Sequence, residues 1–109
     1  MKDPTKPFWL IAETFLAEHS VSKGTLMGFP CLRINGEFFA TADHRSGHLI
    51  VKLHVKRVKQ LIAEGIGSPF SPAGRTFREW VEIAKYNKSL WIKLLREAKD
   101  YVEQKGKKS

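Results

Sequence analysis

A single cysteine, Cys31, is all the thiol chemistry that this 109-residue chain carries. It therefore holds no internal disulfide and fits a reducing compartment. No apolar run approaches the ~20 residues that a membrane-spanning helix needs. Glu13 and Glu18 break up the early apolar positions that a secretory leader would keep free of charge. A cytoplasmic location without membrane contact is the expectation. There is no internal repeat and no low-complexity block, and the composition, 42% hydrophobic and 28% charged, is that of an ordinary globular domain. One domain over residues 1–109 is expected, with a flexible basic tail at 105–109.

Residue sets that announce a reaction are also missing. Glu79 and Glu82 straddle Trp80 on a strand pattern and should point to opposite faces, so they form no acid–base pair. The Gly65-Ile66-Gly67 stretch lacks the following lysine and helix of a phosphate cradle. His44, His48 and His54, with Asp43, are the one cluster that could hold a metal. No cysteine or paired carboxylate stands at finger-like spacing beside them, so exposed polar roles are expected. Cys31 has no nucleophile motif around it and reads as a buried strand residue. A non-enzymatic protein without cofactor is expected.

Acid is scarce in one place above all. Between His44 and Ala63 stand Arg45, Lys52, Lys56, Arg57 and Lys59, and no Asp or Glu. The formal net charge is +8, of which the C-terminal lysines 105, 107 and 108 supply +3 and Lys2, Asp3 and Lys6 together +1. The remaining +4 is smaller than the +5 of the acid-free segment, so the rest of the body is close to balanced. A concentrated positive region suits an anionic partner. Arg33, Lys52, Lys56, Arg57 and Lys59 are the candidate nucleic-acid contacts. None sits in a base-reading pattern, so weak, salt-sensitive binding is expected.

What is present specifies a fold. Phe8, Ile11, Ala12, Phe15 and Leu16 recur at helical spacing and predict a helix over about Pro7–Glu18. A strand follows over about Leu26–Ile34, with Pro30 placed at an edge, at a bulge or where pairing has not begun. Asn35-Gly36 favours a type I′ turn, which predicts a hairpin pairing Ile34 with Glu37, Arg33 with Phe38, Leu32 with Phe39 and Cys31 with Ala40. Large apolar groups then lie on both faces, as if helices cover one and a partner part of the other. Leu49, Val51 and Leu53 alternate with Lys52 and His54 in a third strand. A helix over Val55–Glu64 ends at Gly65, and residues 65–74 read as a long Gly/Pro/Ser loop. Phe77–Ile83 predicts a fourth strand. Trp91, Leu94, Leu95, Ala98, Tyr101 and Val102 mark the last helix, with Asn87 or Ser89 able to cap it. The expected class is α+β in the order α-β-β-β-α-β-α: a three-strand antiparallel meander plus a further strand, with helices packed on it. Trp91 belongs to the core, whereas Trp9 and Trp80 could offer base-stacking faces. Phe39, Phe70 and Trp80 could line a pocket under the long loop.

The segments Met27-Gly28-Phe29-Pro30, Leu32 to Ala40, Leu49 to Leu53, the Pro-Phe loop with Gly74, and Trp80-Val81 carry a resemblance. The chain, from about Leu10 to Val102, resembles the superfamily of the TfoX N-terminal domain and the MmcQ/YjbR-like proteins. The resemblance implies this small α+β fold and a regulatory or DNA-binding role, and it brings no catalytic residues. Three functions are thus open. The first is a basic module for nucleic acid or another polyanion. The second is a protein–protein adaptor or homodimer using an uncovered sheet face. The third is a small-ligand binder or enzyme at the 65–74 loop.

Overall fold

The helical stripe of Phe8, Ile11, Ala12 and Phe15 forms α1 (Lys6–Leu16) in a computed structural model, which describes residues 3–26 and 28–107. Four strands follow: β1 (Val21–Leu26), β2 (Phe29–Ile34), β3 (Glu37–Ala42) and β4 (Leu49–Lys52). Then come α2 (Val55–Ala63), the short β5 (Ser68–Phe70), a 3-10 turn at Pro72–Gly74, β6 (Phe77–Ile83) and α3 (Lys88–Lys107). The class is α+β, as expected. All strands join one antiparallel sheet in the order β1-β2-β3-β4-β6-β5.

Two strands were not anticipated. Residues 21–25 lie between the predicted helix and the predicted strand, yet all six residues of Val21–Leu26 pair with β2. Its sequence, VSKGTL, has a single buried position, because an edge strand packs little and keeps its polar residues in water. Ser68–Phe70 fell in the predicted loop but forms the opposite edge. Its three-residue length and Pro69 leave that edge little able to recruit another strand. Residues 105–107 continue α3 instead of fraying, and Lys108 and Ser109 lie outside the described residues.

The hairpin forms at Asn35-Gly36, where φ is +52° and +85° as the turn requires. Ile34 opposes Glu37 and Arg33 opposes Phe38, as expected. Beyond that point a bulge shifts the register, so Leu32 faces Ala40 and Cys31 faces Thr41. The extra residue is Phe39. A bulge lets two successive side chains leave on one side of a strand, and here Phe39 and Ala40 both enter the core at 0% exposure. Without it, a strictly alternating strand would send Phe39 to the face opposite Ala40. Pro30 is accommodated because the β2–β3 ladder begins at Cys31, and its carbonyl accepts from Thr41 Oγ1 at 2.8 Å.

The register sorts the two faces. Leu32, Ala40, Val51 and Val81 oppose one another across four strands and join one core with Phe8, Phe15, Trp91, Leu94, Leu95 and Ala98 of the helices. Gly24, Cys31, Thr41, Ile50, Glu82 and Ser68 form the alternate row across all six strands. Cys31 and Ile50 are buried, yet they stand outside that core. The helices therefore cover one face, and among the described residues none covers the other.

The candidate binding face of the sheet

Strand alternation places on the open face, beside that row, a second band from residues far apart in sequence. Arg33 of β2 pairs with Phe38 of β3, and Lys52 of β4 pairs with Trp80 of β6. Phe70 of β5 lies 6.4 Å from Trp80, ring to ring. From β2 to β6 the band crosses three strand spacings, about 14 Å. Cation and aromatic alternate along it. At the other end of the face Phe29, 43% exposed, is stacked on His44 with centroids 4.2 Å apart and rings 12° from parallel.

Arg33 is held in a defined pose. Its guanidinium carbon lies 5.7 Å from the Phe38 ring centroid. On its other side is the backbone of β1 at Gly24, so close that a Cβ there would sit 2.5 Å from Arg33 Nε. That Nε is buried and has no hydrogen-bond partner. No carboxylate reaches the guanidinium within ion-pair distance among the described residues. Burial pushes the adjacent Cys31 thiol up, against a smaller pull from Arg33, so it stays protonated and inert.

The carboxylates are mostly elsewhere. Arg96 of α3 grips Glu18 through both oxygens at 2.7 and 2.6 Å, and this holds the Glu18 carboxyl below its ordinary range. Lys105 and Tyr101 of α3 converge on Glu79, which is lowered by their hydrogen bonds and further by nearby Lys52. Glu82 is the one acid at an open-face strand position among the described residues, and it is engaged by His48 Nδ1 at 2.6 Å. Glu79 and Glu82 thus fall on opposite faces, as their spacing implied.

The five cations singled out from the sequence do not form one surface. Arg33 and Lys52 share the open face. Lys56 and Lys59 lie exposed on α2, in the helical layer. Arg57, also on α2, is bound by Glu97 of α3 at 2.9 and 3.2 Å and by Gln60. The acid-free stretch is acid-free only along the chain: folding brings α3 carboxylates against it. Together with Asp100, the Arg57–Glu97 pair lines a shallow groove of about 400 Å³ beside His54 and Tyr101, away from the 65–74 loop. Phe38 joins Arg33 on this face through the register that the Asn35-Gly36 turn sets.

The histidines separate. His44 stacks on Phe29, His48 binds Glu82, and His54 caps α2 by accepting from Lys56 N–H at 3.1 Å. Among the described residues no three potential metal ligands gather. Phe39 faces the helices, so the pocket expected from Phe39, Phe70 and Trp80 is not assembled; only the last two meet. No helix of the described residues is long and apolar enough to cross a membrane. No family model, curated protein or solved structure matches this chain.

Proposed function

We propose that this protein is a non-enzymatic binding module that takes nucleic acid on the open face of its sheet. Arg33 and Lys52 supply the positive charge there. The supporting observation is the band in which these cations alternate with Phe38 and Trp80 on a face that, among the described residues, carries one strand carboxylate, itself occupied by His48. The α2 surface is the weaker candidate, because Glu97 neutralises Arg57 and Asp100 lies beside it. Lys56 and Lys59 contribute to the general positive field that steers a polyanion. The TfoX N-terminal and MmcQ/YjbR-like resemblance accords with a DNA-binding or regulatory role and belongs to the same reading.

Fluorescence anisotropy of a labelled oligonucleotide at several salt concentrations tests this. Affinity should fall linearly in log–log form, with a slope near −0.7 to −0.9 per phosphate contact. Arg33→Glu with Lys52→Glu should abolish binding, while Lys56→Glu with Lys59→Glu should weaken it modestly. Salt-independent binding, or none, refutes the proposal. A second reading rests on Leu26 and Phe29, 40% and 43% exposed on adjoining strands at one end of the face. They suit a second copy of the chain or a protein partner. Light scattering that shows concentration-dependent dimers sensitive to Phe29→Asp would support it.

A further inference from the structure

We infer that the open face selects single-stranded nucleic acid, seating bases on the rings of Phe38 and Trp80 while Arg33 and Lys52 hold the intervening phosphates. This rests on the nucleic-acid reading and adds to it the form of the ligand and the residues that read that form.

The geometry favours unpaired bases for three reasons. First, the aromatic groups lie on a broad sheet surface, not on a protruding helix or ribbon that could enter a groove of a duplex. A duplex laid on such a face presents its phosphates and hides its base faces. Second, both rings are partly exposed and stand among cations, so stacking and charge attraction act over the same stretch. The band's length of about 14 Å is that of a platform for two or three bases. Third, Arg33 is preorganised: Gly24 and Phe38 confine its guanidinium, and among the described residues no carboxylate lies within ion-pair distance of it. Such an arginine can hydrogen-bond a phosphate, or stack on a base, with little further loss of side-chain freedom. Charge complementarity alone would suit any polyanion; the rings among the cations are what single strands use and sulfated polysaccharides do not.

The test compares a 12-nucleotide oligothymidine, the corresponding 12-base-pair duplex and heparin as ligands of the full chain. Trp80→Leu and Phe38→Leu are the variants, because leucine keeps apolar bulk and removes the ring face. Circular dichroism and thermal melting confirm that each is folded; should one fail, the other carries the test. The expected result is tighter binding of the single strand than of the duplex, with each Leu variant losing about fivefold or more for the single strand. Heparin affinity should be unchanged by the same variants. Equal affinity for all three ligands, or Leu variants that bind oligothymidine like the parent, overturns the inference while leaving the polyanion reading intact. Stronger duplex binding overturns it as well. No binding of any probe defeats both.

Discussion

Replacing Gly24 with alanine should unseat Arg33 while leaving the fold untouched. The added methyl would lie 2.5 Å from Arg33 Nε, 2.9 Å from Cζ and 3.0 Å from Cδ, all well inside ordinary van der Waals separation. What must move is the end of a flexible side chain, so the collision is relieved by swinging the guanidinium away. Gly24 is not among the positive-φ glycines, so alanine fits its backbone. Removing a glycine from a strand then adds stability, by about 0.4–1 kcal/mol, through the unfolded chain's lost freedom. Melting temperature should therefore hold or rise. Binding should fall, because a hydrogen bond from a charged group contributes roughly 1.5–3 kcal/mol, or about ten- to a hundredfold in affinity. The salt slope should drop by about one contact. Anisotropy titrations of the parent, Gly24→Ala, Arg33→Ala and the double variant decide it. Because the two sites act through one guanidinium, the double variant should be no worse than Arg33→Ala alone. Full affinity in Gly24→Ala would refute the importance of the Arg33 pose, and additive losses would refute its dependence on Gly24.

Phe39→Ala should cost about 3–5 kcal/mol in urea unfolding, as for a buried aromatic ring, whereas its neighbour Phe38→Ala should cost far less; equal losses would contradict the bulge. Glu18 and Glu79 titrate below the ordinary 4.5 because cations hold their charged forms. A depressed carboxyl adds stability above its unfolded pKa and loses it as pH falls through its folded one, so melting temperature should decline below about pH 5. In Glu79→Gln that decline should be shallower. Arg57→Ala should cost no more than about 1 kcal/mol, its pair with Glu97 being partly exposed, and oligonucleotide affinity should stay within twofold of the parent. A large affinity loss would move the binding surface to α2.

Local patterns determined what depends on neighbours in sequence. The stripe from Phe8 to Phe15 and the one from Trp91 to Val102 specified helices because three- and four-residue spacing puts apolar groups on one side. Asn87 accepts from Leu90 N–H at 3.0 Å, the capping role its position allowed. Asn35-Gly36 fixed the hairpin, since few other pairs accept two positive φ values. From these the α+β class followed.

Long-range pairing decided the rest. Neither VSKGTL nor SPF carries enough apolar alternation to announce a strand; each is extended because a neighbouring strand offers it hydrogen bonds. The bulge at Phe39 reflects the demand of a core that only the assembled helices create. Arg57 looked free because its partner Glu97 is 40 positions away. For the same reason the acid-free segment does not fold into one surface: charge counted along a chain says nothing of which face each cation leaves by. Arg33, Phe38, Lys52 and Trp80 become neighbours only when four strands lie side by side, and that adjacency is made by the sheet.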